Sequence, residues 1–539
     1  MIKTLLIPLI FSLFIVSCSE QKVKHSNVFR YNESKGIATL DPAFAKSQVL
    51  IWPVNQLFNG LVQMNNQLVI KPAIARSWEV SEKGKLYTFF LRTDVRFHNS
   101  DVFPGGKGRI VTAHDFEYSL KRITDPKTGS PGAWIFNQVD EEGIIAINDT
   151  TLEIRLKNPF SAFLGLLTMP YCSVIPKEAI EYYKQDFRNH PVGTGPFQFK
   201  FWKEGEKLIL IKNQNYFEKD SNNIPLPYLD AVSITFINDK QSEFLEFLKG
   251  NIDFISGLSP ANKDELITRN GSLNPKYEGK IKMISQPYLN TEYLGFLLDS
   301  SKIATKNSPV LNKKIRQAIN YGFDREKMMK YLRNNIGSPA IHGFIPKGLP
   351  SFSRSLNGFT YNPGKTRELL KEAGFPDGQG LAPIKLTTTS DYLDLCEYIQ
   401  QELSQFGIEL IIDVSTGATF REMVAQSKLE FFRGSWIADY PDAENYMALF
   451  YSQNFSPSGP NYTHYANKNF DKLYQQAMNE TTDSIRYSLY HQMNQQIIND
   501  AVVVPLYYDE VVRFAHTNIK GFESNPMNLL NLKQVYKTN

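Results

Sequence analysis

Apolar positions recur along this chain with two periods, alternating with polar residues in some segments and returning every three or four residues in others. The first period marks strands and the second helices. Residues 85–92, 151–156 and 207–211 read as short strands bounded by turn-forming residues. Residues 229–236 alternate in the same way, 241–249 take helical spacing until Gly250 stops them, and 252–255 return to a strand. Thr112 is placed to cap a helix running through Phe116, Leu120 and Ile123, with Asp115 at the position that reciprocates the cap. In the second half, Ile315, Ala318, Ile319 and Phe323 share one helical face, and Asn362 and Pro363 start a helix that Gly374 ends. A further helix over 393–406 closes at Gly407, and the β-branched residues 408–414 follow as a strand. Two packing helices at 470–478 and 485–497 complete the pattern, which predicts a mixed α/β protein without internal repeat or coiled coil.

A chain of 539 residues can bury more than one core, so two or three domains are expected. The amino terminus stands apart from them. Lys3 precedes an uncharged, mostly apolar run over residues 5–16 that ends at Ser17 and Cys18, too short for a mature membrane span and suited to an export signal. A small residue before cysteine at the end of such a run is the pattern of bacterial lipoprotein signals, so Cys18 is the expected lipidation site and first mature residue. Residues 1–17 are read as signal and the polar stretch 18–28 as anchor and tether.

Charge and cysteine content narrow the possibilities. The 59 basic and 55 acidic residues give +4 without long blocks, which argues against a nucleic-acid partner. With Cys18 lipidated, Cys172 and Cys396 are read as buried free thiols. The 27 Tyr, 37 Phe and 5 Trp supply rings for a binding cavity as well as for a core.

Candidate chemistry is sparse. The separations of His98, Asp101, His114 and Asp115 match no compact zinc motif, and no metal or other cofactor is expected. Gly193-Thr194-Gly195-Pro196-Phe197 lacks the lysine and longer glycine spacing of a phosphate loop and reads as a tight turn. No Gly-x-Ser-x-Gly elbow occurs. The most informative stretch is residues 431–442, where Arg433, Trp436 and Asp439 follow at three-residue intervals before Tyr440, Pro441 and Asp442. Charges in a strand-to-loop segment either pair internally or meet a charged ligand, because burying them alone costs several kcal/mol. A zwitterion would satisfy both, its ammonium on Asp439 and its carboxylate on the fork of Arg433. Internal salt bridges account for these charges equally well.

Ordered segments along nearly the whole mature chain resemble the large solute-binding proteins of bacterial ABC importers, the group that includes dipeptide- and oligopeptide-binding proteins. They are Gln56 to Val62, Pro72 to Ser81 with Tyr87-Thr88-Phe89, Val95 to His98, Val111 to Phe116, Pro191 to Phe197, Ile315 to Asn320, Leu369 to Gly374, and Trp436 to Pro441. The resemblance implies a large two-lobed periplasmic-binding-protein fold with an additional subdomain on the amino-terminal lobe. It implies lobe I from 29–66, 190–285 and 510–539, the subdomain from 67–189, and lobe II from 286–509. It also implies a monomer that holds small peptides between its lobes and hands them to permease subunits driven by cytoplasmic ATPases. By the same resemblance, Asp439 meets the peptide amine, Trp436 is the neighbouring cleft aromatic, and Arg433 approaches a peptide carboxylate. A metal complex, haem, an oligosaccharide, or a receptor or chaperone role without a permease are the alternatives.

Overall fold

The computed structural model describes residues 27–257 and 260–538. The expected signal segment and Cys18 lie outside them. Among the described residues no helix is long and apolar enough to cross a membrane.

One 11-stranded sheet runs through the molecule. Its spine is two long antiparallel strands, Ile281–Phe296 and Val503–His516. They pair from Ile281 with His516 as far as Pro287 with Glu510, lose register, and resume from Thr291 with Tyr508 to Gly295 with Val503. Tyr288, Leu289 and Asn290 therefore stand against Asp509 alone. Bulges of this kind bend a strand and raise its twist.

The two strands have different companions on either side of that break. Before it, Val503–His516 joins Phe254–Ser256, which leads through Val28–Asn32 and Ala231–Thr235 to Lys207–Lys212 and Phe197–Lys203. After it, Ile281–Phe296 joins Phe431–Ile437, which leads by parallel pairing to Ile384–Thr388 and Leu410–Val414. The sheet is thus two halves sharing a pair of crossing strands, with separate apolar cores. Among the described residues the amino-terminal core gathers residues from Phe29 to Phe254 with the carboxyl-terminal Phe522, Leu530 and Leu532; two large cores and one small one fill the second half.

A separate four-stranded antiparallel sheet packs on the amino-terminal half, ordered Ala75–Ser81, Leu86–Leu91, Thr151–Leu156, Val139–Asn148. Helix Ala113–Thr124 lies against it and begins with the expected reciprocal cap between Thr112 and Asp115. Asp115 also pairs with Arg109 at 2.6 Å, and Arg109 reaches Glu178 at the same distance. His98 is held at both ring nitrogens, Nε2 to the Gly195 carbonyl at 3.0 Å and Nδ1 to the Gly193 N–H at 3.3 Å. That turn presses on the helix Gln48–Leu57: a Cβ at Gly193 would lie 2.1 Å from the Leu57 oxygen, and one at Gly195 2.4 Å from that of Gln56. Its glycines serve close packing.

The helices of the second half follow their sequence signals closely. Asn362 caps Pro363–Glu372 through the Lys365 N–H, and Leu393–Ser404 and Lys468–Asn479 occupy the expected segments. Cys172 lies in the amino-terminal core and Cys396 on Leu393–Ser404, both buried and free. Burial raises both thiols, that of Cys396 to about 11, which keeps them unreactive near neutral pH. Arg513 is fully buried and has no acidic partner among the described residues; it donates to the carbonyls of Glu523, Asn528 and Leu529 and is flanked by Trp52, Phe254 and Phe522.

Candidate functional site

The strand Phe431–Ile437 enters the second half beside Ile281–Phe296, with Ser435 opposite Glu292 and Trp436 opposite Thr291. Gly434 faces Tyr293, whose ring occupies the space a Cβ would need, 2.3 Å away. The strand ends at Ile437, and its loop returns through a four-residue helix, Glu444–Met447.

That short helix organises the loop. The Asn445 side-chain oxygen accepts from Trp436 Nε1 at 2.8 Å and from the Asp439 backbone N–H at 3.3 Å, tying indole and acidic residue to one amide. Tyr446 donates to the Leu289 carbonyl at 2.7 Å, and Leu289 also accepts from the Ala438 N–H. Leu289 lies in the register break of the crossing strands, so loop and break are joined directly. Glu444 is buried between the hydroxyls of Tyr440 and Tyr474. Burial raises its carboxyl, while the two tyrosine donors act in the opposite direction. Asp442 pairs with Arg486 and accepts from Tyr490 at 2.8 Å.

Asp439 differs from these neighbouring acids. Among the described residues no lysine, arginine or histidine forms an ion pair with it. It is open to solvent on one side and crowded by protein on the other; that crowding raises its carboxyl above the ordinary value, with Asn445 pulling the other way. Tyr171 of the amino-terminal half is near enough to feel its charge, and Tyr440 buries its ring in the amino-terminal core, 6.4 Å from Trp134. Asp439 therefore sits at a seam between the halves, an acid with no basic partner among the described residues.

Arg433 is paired. Its guanidinium contacts Glu292 and lies 3.2 Å from the centre of the Tyr392 ring. Glu292 also accepts from Asn290 at 3.0 Å and Ser435 at 2.9 Å. Burial raises its carboxyl, and Arg433 is the largest influence lowering it. Behind this pair, Arg333 bonds Asp509 at 3.1 Å. Arg433, Trp436 and Asp439 stand out in the sequence, whereas Glu292, 141 positions from Arg433, and Asn445 do not. The signal for Glu292 was a charge in an otherwise uncharged strand segment, which must find a partner if buried.

Arg433 and Trp436 line a cavity of about 770 Å³ together with Tyr392, Phe420 and Tyr462. It opens beyond the carboxyl ends of the parallel strands Ile384–Thr388 and Leu410–Val414, the edge where α/β sheets commonly bind ligands. A smaller cavity of about 110 Å³, lined by amides including Asn55, Gln56 and Asn59, lies on the amino-terminal half and contains none of these three residues.

A Ser–His–Asp arrangement also exists. His464 contacts Asp299 through Nδ1 at 3.0 Å and Ser427 through Nε2 at 2.9 Å. Ser427 is 6% exposed, and the imidazole is stacked on Phe455 and shared with Ser456. A nucleophile must meet its substrate; this hydroxyl is enclosed, and the cluster ties loops together.

Comparison with known proteins places the geometry in context. The family model described as "Bacterial extracellular solute-binding proteins, family 5 Middle" matches residues 69–458. The dipeptide-binding protein DppE of Bacillus subtilis (strain 168) is 27% identical over 545 residues, covering 96% of this chain and 93% of the relative. The glutathione-binding protein GsiB of Salmonella choleraesuis (strain SC-B67) is 26% identical over 490 residues, covering 90% and 89%. Among solved structures, the ABC transporter-associated periplasmic binding protein DppA from Helicobacter pylori, in complex with the peptide STSA, superposes with a TM-score of 0.76 at 25% identity, covering 95% of this chain and 98% of that one.

Proposed function

We propose, from the premise that this chain belongs to the bacterial extracellular solute-binding proteins of family 5, that it captures small peptides between its two lobes and delivers them to the permease of an ABC importer. The observation that carries the peptide reading is Asp439, a carboxylate at the seam with no basic partner among the described residues, beside the half-buried indole of Trp436. A ligand ammonium supplies the missing charge, and the aromatic cavity accepts an adjoining side chain. Arg433 contributes to the wall of that cavity. Main-chain pairing with an extended peptide gives affinity without demanding one sequence. Binding and release are the whole activity; no bond in the ligand is broken.

The division into lobe I (29–66, 190–285, 510–539), subdomain (67–189) and lobe II (286–509) belongs to the same reading. Its crossings at 285/286 and 509/510 adjoin the register break, the natural place for the halves to rotate. The protein acts as a monomer, held to a membrane through lipid on Cys18.

Titration of the purified protein with a degenerate tripeptide pool, followed through tryptophan fluorescence, is expected to give saturable binding, and mass spectrometry should recover every peptide uncleaved. Turnover that survives removal of contaminating protease, or the absence of any saturable response, contradicts the proposal.

A further inference from the structure

The cavity on lobe II carries two arginines, Arg433 and Arg421, in different electrical surroundings. Arg433 is enclosed: its side chain is 12% exposed and that of its partner Glu292 is 4% exposed. Glu292 is also held by the hydroxyl of Ser435 at 2.9 Å and the amide of Asn290 at 3.0 Å. Its oxygens therefore accept from three side chains on two adjacent strands. Arg433 reaches Glu292 through Nη2, and its Nε has no partner among the described residues, so a ligand carboxylate approaching the remaining N–H groups meets the repulsion of this resident carboxylate, already desolvated and hydrogen-bonded. Displacing Glu292 would leave a buried charge unpaired, which is strongly unfavourable. Arg421 is exposed and shares its wall with Asp391 and Glu422, so solvent and nearby acids leave it little selectivity for an anion. Asp439 has no basic partner among the described residues.

We infer that Glu292 is a built-in counter-ion that withdraws Arg433 from ligand recognition, so that the cleft reads the ammonium end of a peptide and is indifferent to its carboxylate end. The inference rests on the peptide reading and narrows it. The substrate class becomes peptides with a free amino terminus, whether their carboxyl terminus is free, amidated or extended into further residues; amino-terminally blocked peptides are excluded.

The test compares the tripeptide Ala-Phe-Ala with its N-acetyl and carboxyl-terminal amide forms by calorimetry, on the wild-type protein and on Glu292→Gln. For wild type, acetylation should weaken binding about 30-fold or more and amidation less than about threefold. For Glu292→Gln, which releases the Arg433 fork, preference for the free acid over the amide should rise to about tenfold or more. An amide penalty in wild type equal to the acetyl penalty overturns the inference while leaving peptide binding intact. So does a folded Glu292→Gln protein whose acid-to-amide ratio is unchanged. If the variant does not fold, the wild-type comparison alone decides. Failure of all three forms and of a degenerate tripeptide pool to bind removes the peptide reading, and this inference with it.

Discussion

Replacing Asp439 with Asn is expected to weaken binding of a free-amine peptide by roughly 30-fold to several-thousand-fold, the range that corresponds to about 2–5 kcal/mol for truncating one partner of a charge pair that the ligand-bound, closed cleft would bury. The substitution keeps size and some hydrogen-bonding capacity, and the Asn445 bond to the residue 439 backbone does not depend on the side chain replaced. The loss therefore reports charge. Acetylating the peptide removes the same contact from the other side, so acetylation and Asp439→Asn should be strongly non-additive in calorimetric titration. Equal affinities of both peptides for both folded proteins would assign Asp439 to structure. Acidification offers a parallel check. Crowding has raised the free protein's Asp439 carboxyl, so its negative charge is lost at higher pH than for an ordinary aspartate. Affinity for a free-amine peptide should fall correspondingly early as pH decreases, and Asp439→Asn should lose that dependence.

Removal of the Cys18 thiol should change where the protein is found while sparing what it binds. Cys18→Ala is expected to abolish metabolic lipid labelling and either release the protein from membranes or leave it unprocessed. The reason lies in the size of the anchor: one acyl chain binds a bilayer with an association constant of only about 10⁴ M⁻¹, whereas two or more hold a protein stably. No helix among the described residues is long and apolar enough to cross a membrane. Processed, soluble Cys18→Ala should titrate with peptide as wild type does, because position 18 precedes the first described strand, which starts at Val28. Unchanged labelling in the variant rules the assignment out.

The parts of this fold legible in sequence were those whose cause is local. Thr112 with Asp115, Asn362 before Pro363, and the alternation of residues 151–156 each carry their signal within a few residues. The crossing strands carry none of comparable clarity. Ile281–Phe296 is mostly half-buried in its first eight residues and wholly buried in its last eight, and Pro287 interrupts it. A strand that changes surroundings midway has no single inside face to betray it. Val503–His516 is buried along nearly its whole length, and its apolar runs on either side of Asp509 and Glu510 show no alternation that would distinguish strand from helix.

The site divides on the same line. Arg433, Trp436 and Asp439 stand out because charged and aromatic residues punctuate one short segment. Glu292 reaches Arg433 only because two distant strands pair with Ser435 opposite Glu292. Asn445 meets Trp436 only because the chain reverses through Tyr440 and Asp442 into a single helical turn. Sequence pattern left open whether Arg433 meets a ligand or an internal acid; register supplies the acid.

The account's central claim is that the cleft holds peptides by their amino ends. Its most direct test is mass spectrometry of what the protein carries from the cell, purified without added ligand and released by mild unfolding. The expected result is a mixture of short peptides with free amino termini and varied carboxyl termini, depleted in Asp439→Asn. Recovery instead of a sugar, haem or metal complex, undiminished by Asp439→Asn, would contradict it.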